Sequence, residues 1–94
     1  MISQILNEIL ATCCDQFECN TLEVCSKSRK QELVYCRKAF SLLIKENFDM
    51  KHEVTARILN RSAQDVSRYL ITQPTNRYYD AVLKRIRKQI EEIL

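Results

Sequence analysis

Hydrophobic residues recur at helical spacing along almost the whole chain, with polar residues between them. Ile2, Ile5, Leu6, Ile9, Leu10 and Cys13 make one apolar stripe and predict a first helix from about Ser3 to Asp15. Phe17 and Cys19 continue that buried line through a short connection. Thr21 is placed to cap a single turn, Leu22 to Cys25, whose Leu22, Val24 and Cys25 should pin it to the core. Ser28, followed three residues later by Gln31, predicts a capping box for a helix running to about Lys45. Its apolar face is Leu33, Cys36, Phe40, Leu43 and Ile44, flanked by Val34, Ala39 and Leu42. Residues 47–50 form a connection with Phe48 turned inward.

Residues 53–70, EVTARILNRSAQDVSRYL, carry the most specific spacing. Ala56 is small where two helices would touch, and Asn60, four residues on, tolerates the left-handed backbone of a tight turn. Val66, ten residues after Ala56, is the apolar plug of the second helix, with Leu59 and Tyr69 closing the same small core. Together they read as a helix-turn-helix, a unit that offers its second helix to the major groove of DNA. Pro74 breaks the chain at ITQPTN. A last helix follows from about Asn76 to Ile93, with Tyr79, Val82, Leu83, Ile86, Ile90 and Ile93 as its apolar edge. Lys84, Arg85, Arg87 and Lys88 cover its other side. Packing against its own domain is the simplest use of that edge, with the distal Ile90, Ile93 and Leu94 available to support a dimer.

The expected fold is therefore all-α, a single domain (residues 1–94) of five to six helices in a compact bundle. Its parts are an acidic N-terminal helix and short turn (1–26), a basic helix (28–45), the helix-turn-helix (51–70) and an amphipathic C-terminal helix (75–94). The absence of Gly and the single Pro leave almost none of the punctuation that hairpins and sheets use. With 94 residues the core is modest and there is no room for a second functional module. No apolar run is long enough to cross a membrane, and the pattern after Met1, which includes Glu8, is wrong for a signal peptide. The expected setting is cytoplasmic: the nucleoid of a bacterium, or the host cytoplasm for a phage protein.

The net charge of +3 is unevenly spread. Residues 1–26 hold Glu8, Asp15, Glu18 and Glu23 and no Lys or Arg. All fifteen basic residues lie in 27–94 against the other eight acids, a net of +7 there, which suits a polyanion. The five cysteines change the picture less. Cys13 and Cys14 are adjacent, and no C-x-x-C pair or neighbouring His gives the set a metal-ligand spacing. Cys13, Cys19, Cys25 and Cys36 stand where the pattern calls for an aliphatic, so they are read as core filler in a reducing compartment, with neither metal nor cofactor expected. No enzyme is expected either. His52 has no Cys or Ser partner at a recognisable spacing, and Asp15, Glu23 and Asp80 read as caps and surface charges.

The run from Phe17 to Leu43, FECNTLEVCSKSRKQELVYCRKAFSLL, resembles the C-terminal DNA-binding domain (domain IV) of the bacterial replication initiator DnaA. That family reads a short helix, then Leu-Ser-Lys-x-Arg, then a helix with a second Arg. The matching elements are Cys25-Ser26-Lys27-Ser28-Arg29 and, eight residues on, Arg37, with the helix-turn-helix following at nearly the family's distance. The resemblance covers most of the chain and implies an all-helical bundle related to the Trp-repressor-like domains. It implies that Arg29 enters the minor groove, where negative potential is concentrated, and that Arg37 and Arg61 lie on phosphates. Lys27 and Lys38 would add phosphate contacts from the same face. The family's recognition signature, Gly-Gly-Arg-Asp-His-x-Thr-Val, is replaced here by Asn60-Arg61-Ser62-Ala63-Gln64-Asp65-Val66. The Arg and the packing Val survive and the base-reading side chains do not, so the family's target sequence does not transfer.

The resulting expectation is non-enzymatic binding of double-stranded DNA. The segment Ser62 to Leu70 would enter the major groove, with Ser62, Ala63, Gln64, Asp65 and Arg68 as its DNA-binding residues and Gln64, Asp65 and Arg68 facing outward, in a replication or transcription-regulation role. Gln64 suits adenine, Ser62 several partners, and Asp65 a cytosine amino group. Clamping of about five phosphates implies a log–log salt slope of roughly −4 to −5. A dimer or a replication-protein partner would be needed for tight specific binding, while no small-molecule substrate and no membrane are expected. The alternative is a protein-interaction module that keeps the fold without the DNA, such as an inhibitor or partner of a replication protein. The lost signature, the outward Asp65 and the acidic first helix motivate it.

Overall fold

A computed structural model describes residues 2–94, with the Ile2 side chain, and so its expected place in the first apolar stripe, outside the described set. Six helices follow one another among these residues, with no strand: α1 (Ile2–Gln16), α2 (Thr21–Val24), α3 (Gln31–Phe48), α4 (His52–Leu59), α5 (Ala63–Ile71) and α6 (Arg77–Ile93). The long helices α1, α3 and α6 pack together, α2 rests on α1 and α3, and α5 lies between α4 and α3. No described helix is long and apolar enough to cross a membrane.

The core follows from the stripes. Leu6, Ile9, Leu10 and Cys13 of α1 meet Leu33, Cys36, Phe40, Leu43 and Ile44 of α3 and Val82, Ile86 and Ile90 of α6, all buried. Phe17 is buried with them and stacks on Tyr79, the ring centroids 6.1 Å apart. Cys14 is buried too, because α1 is covered by α3 on one side and α6 on the other. Ile93 is half-buried and Leu94 exposed, at the end of the α6 edge.

Several local expectations are corrected. The cap of α2 is Asn20, not Thr21: Asn20 Oδ1 accepts from the Glu23 N–H at 2.9 Å and Glu23 returns the contact to the Asn20 N–H. The shift by one residue turns Leu22 outward, where it is 85% exposed instead of pinning the turn. Ser28 caps no helix. Its N–H donates to Ser26 Oγ at 3.2 Å, and α3 begins at Gln31 after Lys30, which supplies no side-chain cap. At its other end α3 runs three residues past Lys45, so Asn47 and Phe48 are helical and the left-handed Asp49 (φ 49°) ends it. Phe48 is half-buried against the core, as its place in the pattern predicts.

The α4–turn–α5 unit forms as the spacing predicts. Ala56, Leu59 and Val66 are buried, and Tyr69 packs partly on the main core. Asn60 adopts the left-handed region (φ 57°), and the Arg61 N–H reaches back to the Ala56 carbonyl at 2.8 Å, closing the end of α4. Beyond α5, Asn76 caps α6 by accepting from the Tyr79 N–H at 2.8 Å.

Candidate nucleic-acid interface

The first side of the interface is residues 25–30, which leave α2 and enter α3. This short stretch is held from beneath by Arg37. In α3 the order Leu33, Arg37, Phe40, Ile44 steps by four, three and four, so Arg37 lies on the buried stripe and is only 2% exposed. Its Nε donates to the Val24 carbonyl at 2.8 Å, and its Nη2 to the carbonyls of Ser26 at 2.9 Å and Glu23 at 3.4 Å. These carbonyls lie at and just beyond the end of a one-turn helix, which cannot satisfy all of them itself, and a guanidinium fork can bond several at once. Burial and the nearby Arg61 pull the Arg37 pKa below its ordinary value, yet a guanidinium stays charged at neutral pH. The phosphate contact expected of Arg37 is therefore corrected: the residue is almost wholly buried, and its Nε and Nη2 are bonded to loop carbonyls, where they fix the loop.

The second side is the α4–α5 turn, which is tied to the same loop. Asn60 Nδ2 donates to the Cys25 carbonyl at 3.2 Å, Cys25 Sγ donates to the Ile58 carbonyl at 3.3 Å, and Arg61 Nη2 donates to the Ser26 carbonyl. Arg61 Nε is buried with no partner among the described residues. The far end of α5 is fastened as well, by Lys38 Nζ donating to the Thr72 carbonyl at 2.9 Å and by Gln73 Nε2 donating to the Lys38 carbonyl at 3.0 Å.

Between the two sides runs a concavity of about 540 Å³ into which Lys27, Arg29, Arg37, Lys38, Arg61 and Arg68 converge. Asp65 is the one acid among the described residues that line it. Lys27, Arg29 and Arg68 are exposed, Lys38 and Arg61 half-buried, and Arg37 forms the floor. Val34, Tyr69 and Thr72 complete the lining and were not anticipated as site residues. For Tyr69 and Val34 the periodicity assigns a core or flanking role, which hides their second, exposed edge.

On α5 the expected readers divide. Gln64, in the first turn, is exposed. Ser62 is the N-cap, its Oγ accepting from the Asp65 N–H at 3.1 Å, while the Asp65 carboxylate accepts from the Ser62 N–H at 3.4 Å. Asp65 also pairs with Arg68. Desolvation would raise the Asp65 pKa, but the hydrogen bonds from Ser62 and Arg68 outweigh it and hold the carboxyl below the usual aspartate value. Asp65 and Ser62 are thus committed to the start of the helix, and Ala63 is half-buried beside them. Gln64 is left as the polar side chain in the first turn of α5 that no cap or ion pair engages among the described residues.

The cysteines fall into two sets. Cys13 is buried and Cys25 half-buried, in keeping with a packing role. Cys14, Cys19 and Cys36 instead bring their sulfur atoms within 4.8 Å of one another, a grouping absent from the sequence spacing. No family model matches the chain, and no curated protein or solved structure proves similar to it.

Proposed function

We propose that this domain binds double-stranded DNA and catalyses nothing. The supporting observation is the basic concavity between residues 25–30 and α5, into which six Lys and Arg side chains converge beside an exposed first turn of the second helix. Helix α5 would lie in the major groove with Gln64 toward base edges, and Arg29 in the adjacent minor groove. Lys27, Lys38 and Arg61 would contact phosphates, and Arg37 would set the loop from below. The resemblance of residues 17–43 and of the helix-turn-helix to the initiator's DNA-binding domain supports the same arrangement, with a role in replication initiation or transcription regulation. With Arg37 withdrawn from the surface, about four phosphate-level contacts remain, and the salt slope falls to roughly −3 to −4.

Selection of bound duplexes from a random-sequence pool at physiological salt tests this reading with the full chain. Enrichment of a motif is the expected result. Absence of duplex retention by the folded protein overturns it.

The second reading is a protein-interaction module, possessing the fold without the DNA. It is favoured by Leu22 in α2 and Ile71 at the end of α5, large apolar side chains that are 85% and 80% exposed. Retention on a heparin column that duplex DNA fails to displace would support it over the first.

A further inference from the structure

Cys14 in the last turn of α1, Cys19 in the connection to α2 and Cys36 in the first half of α3 come from three separate segments, yet their Sγ atoms all lie within 4.8 Å of one another. We propose that these three thiols form a binding site for one zinc ion, with the fourth coordination position open to solvent beside Cys19. This inference is independent of the DNA reading and stands or falls without it.

The donor set selects the ion. Three sulfur ligands without a carboxylate or imidazole suit soft and borderline cations and disfavour magnesium and calcium. With a Zn–S bond of about 2.3 Å, tetrahedral geometry sets sulfur atoms about 3.8 Å apart. The Cys14 and Cys36 sulfurs are 3.9 Å apart. Closing the rest of the triangle requires a movement of at most about 1 Å, and Cys19, half-buried on a connection, is the side chain free to make it. A disulfide would need the Cys14–Cys36 pair to close from 3.9 Å to about 2.05 Å between two helices that already pack on each other, roughly twice that displacement.

Charge balance also favours a divalent ion. Each thiol gives up its proton as it binds, so three protons leave, and three thiolates with Zn²⁺ carry a net charge of −1. A monovalent thiophilic ion would leave −2 in a largely buried place, where uncompensated charge is costly. Cys14 and Cys36 are buried while Cys19 is half-buried, so entry of the ion and its fourth ligand, a water, is from the Cys19 side.

The reduced full-length chain, freed of metal with a chelator, is titrated with Co²⁺ as a spectroscopic stand-in, and with Zn²⁺ in competition with a chromophoric chelator. The expected result is one equivalent bound, with sulfur-to-cobalt charge-transfer absorption. Cys19→Ser is expected to weaken binding by at least about 100-fold, since even outer-shell partners of a metal site are worth 10–100-fold. Cys25→Ser, which removes a thiol outside the trio, is expected to leave it unchanged. Circular dichroism confirms that both variants are folded. Failure of the folded, reduced wild type to bind, more than one loosely held equivalent, or equal weakening by the two variants would overturn the site.

Discussion

Arg37 and Arg61 donate to the same oxygen, the carbonyl of Ser26, one from the buried stripe of α3 and the other from the turn between α4 and α5. Two like charges converge on one neutral acceptor, and the proximity of Arg61 disfavours the charged form of Arg37. Such a pair gains from a nearby anion. The two guanidiniums nevertheless have different duties, because one is almost wholly buried at the floor of the basic concavity and the other is half-buried at its side.

Replacing Arg37 by Met should therefore act on stability. It strands the Val24 carbonyl and leaves Arg61 as the one remaining donor to the Ser26 carbonyl, and losing charge-assisted bonds to such acceptors costs on the order of 3 kcal/mol. Urea denaturation followed by circular dichroism measures this, and an unchanged midpoint would contradict the floor role given to Arg37.

Arg61→Ala should act mainly on binding. Affinity is expected to fall for every duplex alike, with the log–log salt slope flatter by about one unit. Fluorescence anisotropy with labelled duplexes at graded salt reads both quantities. An unaltered slope would remove Arg61 from the phosphate-contacting set.

Gln64→Ala should leave the salt slope in place and change the preference among sequences, since a bidentate base contact is worth about 1–3 kcal/mol of discrimination. Selections with the wild type and the variant, run side by side, decide this. Identical enriched motifs would mean that Gln64 reads no base.

The pH dependence of stability follows from Asp65. Its carboxyl titrates below the ordinary aspartate value near 3.9, because the hydrogen bonds from Ser62 and Arg68 prevail over desolvation. The stabilisation it provides is accordingly full above that unfolded-state value and is lost as pH falls through the lower, folded-state value. Asp65→Asn should be less acid-sensitive than the wild type while being somewhat less stable at neutral pH. Denaturation midpoints between pH 7 and pH 3 give the comparison, and parallel curves for the two proteins would rule the effect out. Ser62→Ala, which removes the other half of the box, should cost about 1 kcal/mol at neutral pH.

The chain has no Gly, so its left-handed positions fall to Glu18, Asp49 and Asn60, at φ of 57°, 49° and 57°. Glu18 gains nothing from its side chain there, and Glu18→Gly should raise stability by about 0.5–1 kcal/mol. Asn60→Gly should bring no such gain, because it removes the Nδ2 bond to the Cys25 carbonyl. Thermal midpoints of the two variants should move apart. A common rise would show that the Asn60 bond contributes nothing.

How well the chain announced its own structure depends on the range of the interactions concerned. Helix positions, the Ala56–Asn60–Val66 spacing and the Asn76 start follow from local periodicity and turn chemistry, which act over a few residues. The α2 cap was misplaced by one residue because Asn20 and Thr21 are both competent caps, and only the Glu23 partner, three residues after Asn20, distinguishes them. The resemblance places Arg37 on a phosphate, whereas its position in the stripe with Leu33, Phe40 and Ile44 is the sign of burial that the sequence itself carries. The cysteine trio had no such sign. Cys14 and Cys36 are joined only through the packing of α1 on α3, a long-range event that no spacing along the chain encodes.

The ties from Asn60 and Arg61 to residues 25–26 make one surface out of two segments that are 35 residues apart in sequence. Their relative placement is settled when the protein folds and not when a ligand arrives. A binding event on this face would then lose little conformational entropy from the protein side, and its heat-capacity change would reflect surface desolvation with scarcely any contribution from coupled folding. The face behaves as a die already cut, so any adjustment needed for a good fit falls to the partner.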